Sequence, residues 1–151
     1  KLEIYGSGSE KNEIHSIIKK NNISKSISNG IIEYKGLIKK EEVPNIYINK
    51  NCLLIQIAEY NPLSMVIPSK VFEYAATTYP IIFYAKGFCF EFISKISGTI
   101  PYELSEPETL IQALEKVKTI KINFDQRKKF LKKFDSDTIL KNYAKYISSR
   151  Y

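Results

Sequence analysis

The run Cys52-Leu53-Leu54-Ile55-Gln56-Ile57, "CLLIQI", is almost unbroken in its apolar character. It is too short for a helix of ordinary length and rich in residues that favour extended backbone. Such a run predicts a strand buried on both faces, as in a parallel sheet covered by helices. Downstream, "PSKVFEYAA" (Pro68 to Ala76) begins with a helix-start cluster, and "PIIFY" (Pro80 to Tyr84) is a second Pro-led apolar strand. Strand, helix and strand within about thirty residues form the βαβ unit that a parallel sheet requires.

Working outward, the same alternation continues in both directions. "LEIY" (Leu2 to Tyr5) reads as a strand closed by Gly6-Ser7-Gly8. A helix follows, with Ile14, Ile17 and Ile18 on one face and Ser7 with Glu10 as a capping box. A polar loop (Asn21 to Gly30) leads to the strand "IIEYKG", and a short helix spans about Glu41 to Ile48 with Pro44 in its first turn. After "PIIFY" comes a mixed apolar segment, "GFCFEFISKI", then a strand near "GTIPY". Three helices are predicted over Glu106–Val117, Asp125–Phe134 and Asp137–Ser148, the last capped by Asp135 or Ser136. The expected fold is α/β, a Rossmann-like three-layer domain with a parallel sheet. Right-handed crossovers put all strand C-terminal ends on one edge, where ligands of such sheets bind.

The 151 residues suit one domain with a real core. A first residue of Lys1 in place of Met, at the start of a strand, is read as the sign of a piece of a longer protein. No apolar run approaches the roughly 20 residues that span a bilayer, and nothing resembles a signal peptide. Cys52 and Cys89 sit in apolar runs and read as buried free thiols. One histidine and two distant cysteines offer no metal-ligand spacing. His15 is expected on an exposed helix face. The charge is uneven. From Lys121 onward nine Lys/Arg face three acids, so this end carries +6 of the net +7. It could meet nucleic acid or an anionic membrane, or be a solvated helix face.

Gly6-Ser7-Gly8 after a strand suggests dinucleotide binding but lacks its other elements. The third glycine of G-x-G-x-x-G would be residue 11, which is Lys11, and "IIEYKG" ends in Lys35-Gly36 without the acid that holds a ribose. "PSKVFEYAA" is more informative. Pro68 suits a first helical turn. The N–H groups around Ile67, Ser69 and Lys70 would face outward where the dipole favours an anion. Glu73 lies four residues after Ser69 and three after Lys70, on the same face. Its carboxylate could accept two hydrogen bonds from a vicinal diol such as a ribose. It could equally form a surface pair with Lys70, and from the residues alone both readings stay open. Phe72 and Tyr74 read as core aromatics.

The ordered segments "LEIYGSGSE", "IIEYKGLIKKEEVPNIY", "CLLIQI", "PSKVFEYAATTYPIIFY" and "SGTIPYELSEPETLIQALEKV" add a further argument. Together they resemble the C-terminal domain of retaining glycosyltransferases with two Rossmann-like domains, the GT-B fold. The likeness is to the bacterial group that builds O-antigen and capsular polysaccharide. It runs across about Leu2 to Val117, and its specific part is P-S-K-x-x-E-Y-x-A followed by a Pro-led strand. The basic stretch 121–151 fits the family's closing helices.

The resemblance implies that Glu73 binds the donor ribose. It implies that the segment from Leu63 to Lys70, with Ser64, Met65, Val66, Ile67, Ser69 and Lys70, lies against diphosphate and sugar. It implies that Gly36, Leu37 and Ile38 lie near the base. Many relatives carry E-x7-E, whose first Glu touches the sugar, and here that position is Met65. The donor would be a UDP- or GDP-sugar, with no metal and no further cofactor in this domain. The acceptor, a lipid-linked glycan, would be held by an N-terminal domain outside this chain, as would the first strand and helix of this one. The fragment alone would be inactive. The place implied is the cytoplasm, peripheral on the inner membrane, with no nucleic acid involved. Two other readings remain: a sugar-nucleotide 2-epimerase-like domain, and a basic nucleic-acid- or membrane-binding module.

Overall fold

Ile81, Ile82, Phe83 and Tyr84 are each buried to within 1%. They form β4 (Ile81–Tyr84), the central strand around which the larger part of the chain is built. The computed structural model describes residues 1–20, 32–58 and 65–149, with backbone only at 17–20. It divides into two compact units, residues 1–48 and 49–151.

In the second unit β3 (Leu53–Gln56), β4 and β5 (Thr99–Pro101) form a parallel sheet in that order. α3 (Ser69–Ala75) follows β3, α4 (Gly87–Ser94) follows β4, and α5 (Pro107–Lys116) follows β5. α6 (Phe124–Lys132) and α7 (Ser136–Ser148) close the chain.

Strand alternation sends the residues of β4 to two cores. On one face Ile81 and Phe83 join Ile55 and Ile57, packed by Val71 and Ala75 of α3, Cys89 and Ile93 of α4, and Phe130 of α6. On the other, Ile82 and Tyr84 join Ile100 and Tyr102 under Ala113 and Leu110 of α5. Helices therefore cover both faces, giving the three layers expected. Each fully buried Val, Ile or Phe among them contributes about 1.5–3 kcal/mol by leaving water. Phe72 and Tyr74 pack against the first core as expected. Phe72, Phe92, Phe130 and Phe134 extend it as a ring cluster, with the Phe130 and Phe134 centroids 5.1 Å apart.

One edge of this sheet corrects an expectation. β3 is not buried on both faces. Leu53 and Ile55 are buried, whereas Leu54 and Gln56 are exposed. Among the described residues it stands at the end of the strand order. β5, at the other edge, is three residues long and ends in Pro101. The segment "GFCFEFISKI" resolves into α4, its Phe-rich sequence serving a helix with a buried Cys89 and Ile93.

The opposite rim, where β4 and β5 begin, is tied by α6. Asn123 caps this helix through the Gln126 N–H. Arg127, only 2% exposed, donates from Nε to the Ser97 carbonyl at 2.7 Å. Its Nη1 donates to the carbonyls of Thr77 at 2.8 Å and Tyr79 at 2.9 Å. Gly98, with φ +78, lies beneath it, and a Cβ there would meet Ile122 Cγ1 at 2.6 Å. α7 is capped by Asp135, which accepts from the Thr138 N–H. That settles the cap between Asp135 and Ser136.

In the first unit β1 (Leu2–Tyr5) pairs in parallel with β2 (Ile32–Gly36). Lys1 and Lys35 flank Glu33. Their hydrogen bonds, that of Lys1 foremost, hold its carboxyl below the ordinary range. α1 (Lys11–Lys20) starts later than expected, so Ser7 stands in the loop before it and not at its cap. Ile14 is 36% exposed, and the side chains of Ile17 and Ile18 lie outside the described residues. His15 is exposed as expected, its ring edge-on to Tyr34. A 3-10 turn (Lys40–Glu42) leads into α2 (Val43–Tyr47), with Pro44 in its first turn. Where the sequence reading had a single parallel sheet, the strands of the described residues form two parallel sheets, of two and three strands. Among the described residues no helix is long and apolar enough to cross a membrane.

Candidate functional site

The carboxyl rim of the three-stranded sheet is where β3, β4 and β5 end and where α3, α4 and α5 begin. α3 starts one residue later than its proline suggests. Pro68 is extended, φ −64 and ψ 144, and is the N-cap; Ser69 is the first helical residue. Proline's fixed φ suits either place, and here its carbonyl accepts the first helical bond, from the Val71 N–H at 3.0 Å. No side chain caps this helix.

Helical spacing brings Ser69, Lys70 and Glu73 together on an exposed face, as predicted. Ser69 Oγ donates to Glu73 Oε1 at 3.3 Å, and Lys70 Nζ reaches Oε2 at 3.1 Å. The Glu73 side chain is 40% exposed. The contact with Lys70 therefore contributes only a few tenths of a kcal/mol. Opposite it across α3, Val71 and Ala75 are fully packed, so the helix presents the trio from a fixed base.

Upstream, Met65 is 72% and Val66 54% exposed, and Ile67 is half-buried. The Val66 carbonyl accepts from the Cys89 thiol at 3.2 Å, which fastens this segment to α4. Burial pushes the Cys89 thiol above its ordinary pKa. Of the two thiols expected buried, Cys89 is; Cys52 is half-buried, and both are free. Ser64 and Leu63 lie outside the described residues.

Gly36, Leu37 and Ile38 belong to the first unit, at the end of β2. Gly36 takes φ +74 and accepts from the Gly6 N–H at 2.8 Å; Leu37 is 75% exposed. The Gly6-Ser7-Gly8 turn of that unit, with Lys11, Ile14 and Tyr34, lines an open recess of about 250 Å³.

The sequence did not point to a second group on the carboxyl rim of the larger sheet. Tyr102 Oη donates to Gln56 Oε1 at 2.9 Å, across 46 residues of sequence. The rings of Tyr84 and Tyr102 lie 5.9 Å apart, and Lys86 Nζ stands 5.8 Å from the centre of the Tyr84 ring. Burial raises the Tyr102 hydroxyl pKa. The one available signal was Gln56 as the sole polar residue of "CLLIQI".

Chemically the rim offers a carboxylate, an ammonium, hydroxyls and helix starts, but among the described residues no group of three His, Cys, Asp or Glu side chains that could hold a metal ion. Set beside protein-family models, curated proteins and solved structures, the chain matches none of them.

Proposed function

We propose that this chain is the donor-binding domain of a retaining glycosyltransferase of the GT-B type. It binds a nucleoside-diphosphate sugar at the carboxyl rim of the three-stranded sheet. The observation that carries this reading is the exposed Ser69–Lys70–Glu73 trio at the start of the helix that follows β3. Both oxygens of Glu73 already accept hydrogen bonds there, and a ribose 2′,3′-diol presents two donors at comparable spacing. On binding, the diol takes over the carboxylate, and Lys70 turns to the diphosphate beside the helix start.

In the whole protein, a hexose or N-acetylhexosamine passes with retention to a growing, lipid-linked surface polysaccharide at the cytoplasmic face of the inner membrane. A second domain holds the acceptor. Chemistry of this kind rests on positioning and on stabilising the departing diphosphate. Met65, where many relatives of the resembled family carry an acid, gives the sugar an apolar neighbour.

The test is a calorimetric or ligand-observed NMR titration with UDP, GDP, ADP and their sugars, for wild type and Glu73→Ala. Binding of one diphosphate, weakened about tenfold or more by the substitution, is the expected result, since charge-assisted bonds to a diol are lost. Equal binding by both proteins overturns the role given to Glu73. Stability is a built-in control: Glu73→Ala shifts the unfolding free energy by only a few tenths of a kcal/mol.

A further inference from the structure

We infer that Gln56 is a specificity-determining residue of the donor site, one that holds the transferred sugar, and that Tyr102 is the residue that positions it. The inference rests on the nucleotide-sugar reading and deepens it. Gln56 is the last residue of β3, the strand that leads to α3 and its Ser69–Lys70–Glu73 face. Its side is exposed on the carboxyl rim. In the register of the sheet it stands beside Tyr84. The rings of Tyr84 and Tyr102 lie 5.9 Å apart, and the Tyr102 hydroxyl reaches past β4 to the amide, Oη to Oε1 at 2.9 Å.

Two features set this pair apart from an ordinary surface contact. The first is the burial of the tyrosine. Tyr102 is 6% exposed, in the core with Ile82, Tyr84, Ile100 and Ala113. Phenylalanine would fill that place with no hydroxyl to satisfy. The second is entropy. A glutamine held in one rotamer loses side-chain freedom comparable to what a neutral hydrogen bond returns. The bond therefore adds little to stability. It yields an ordered amide at the rim, and ligand sites are built from groups ordered in advance. Burial keeps the proton on the Tyr102 hydroxyl. With Oε1 accepting from it, the amide presents Nε2, which has no partner among the described residues. Two N–H donors suit the hydroxyl oxygens of a hexose or the acetamido carbonyl of an N-acetylhexosamine. With the ribose on Glu73 and the diphosphate at the helix starts, the sugar is the part of the donor still to be held. Lys86, 5.8 Å from the centre of the Tyr84 ring, brings a cation to this group, which favours a ligand that also carries phosphate.

The experiment is a calorimetric titration of the chain with UDP, GDP and ADP and with their hexose and N-acetylhexosamine conjugates. Four proteins are compared: wild type, Gln56→Leu, Tyr102→Phe and the double variant. Gln56→Leu lowers affinity for the sugar nucleotide about tenfold and leaves affinity for its free diphosphate within about twofold. Tyr102→Phe gives a smaller loss of the same kind, about threefold, because the amide loses its anchor and keeps its donors. The double variant binds as Gln56→Leu does, since Tyr102 acts through the amide alone. A structural role for the pair would weaken both ligands alike, and that result overturns the inference. So does a Gln56→Leu chain that binds both ligands as wild type does. A double variant weaker than Gln56→Leu by the full Tyr102→Phe factor overturns the positioning role of Tyr102. Wild type that binds no nucleotide overturns the donor-site reading itself, and this inference with it.

Discussion

Replacing Arg127 by Met tests the packing argument most directly, because it keeps an unbranched chain of similar length and removes the guanidinium. Three hydrogen bonds to the carbonyls of Ser97, Thr77 and Tyr79 disappear. At about 1.5 kcal/mol for each bond from a charged donor, the loss is about 4–5 kcal/mol. An opposing contribution reduces it. Nη2 is buried with no hydrogen-bond partner among the described residues, and burial lowers the guanidinium pKa, so the charge itself is incompletely compensated. Relief of that desolvation returns roughly 1–2 kcal/mol. The net is about 3 kcal/mol. Urea unfolding followed by circular dichroism reads it directly. With a slope near 1.5 kcal/mol per molar, the midpoint moves down by about 2 M. Arg127→Lys, which can still reach one carbonyl, falls between the two. If Arg127→Met unfolds within about 0.5 kcal/mol of wild type, the three carbonyls are satisfied by other means and the clamp reasoning fails.

Three further predictions follow from the same structure. Gly98→Ala introduces a Cβ at φ +78 that meets Ile122 Cγ1 at 2.6 Å and Arg127 Nη2 at 3.0 Å. It should destabilise by about 2–4 kcal/mol, read by the same urea transitions. Asp135 has its pKa lowered chiefly by the Thr138 N–H it accepts. Its capping is therefore fully present above the unfolded carboxyl pKa of about 3.9 and is lost as pH falls through the lower folded value. Amide NMR of residues 136–148 should show α7 fraying in acid, and Asp135→Asn should shrink that acid step. Cys89, completely buried and with its thiol pKa raised, should resist iodoacetamide in the folded protein, with half-buried Cys52 alkylated first. Mass spectrometry that finds Cys89 alkylated as fast as in urea contradicts the packing of α4.

How much could be read from the residues depends on the range of the interaction. β4 was legible because all its side chains are apolar and a proline marks its start. The Ser69–Lys70–Glu73 face was legible because i, i+3 and i, i+4 spacing is a property of any helix. The two-sided burial of β3 was misread. Apolar character predicts burial, but whether a strand is central or at an edge depends on order in the sheet, which Leu54 and Gln56 do not encode. "GFCFEFISKI" stayed unassigned because a run of phenylalanines suits strand and helix alike. Arg127 was invisible among the nine cations of the C-terminal stretch, since its partners are carbonyls 30 to 50 residues away. The Gln56–Tyr102 bond was hidden for the same reason.

The short β5 also bears on self-association. Tyr102 turns its N–H inward to the Phe83 carbonyl, so alternation turns position 101 outward, toward the side of β5 on which no strand pairs among the described residues. Proline occupies it and brings no N–H. A stray strand approaching that side would meet only three residues of extended backbone with a donor missing at its end. Natural sheets blunt their margins against fibril growth in this way. Pro101 therefore shields the sheet from edge-to-edge aggregation, at a position where any other residue would complete the template.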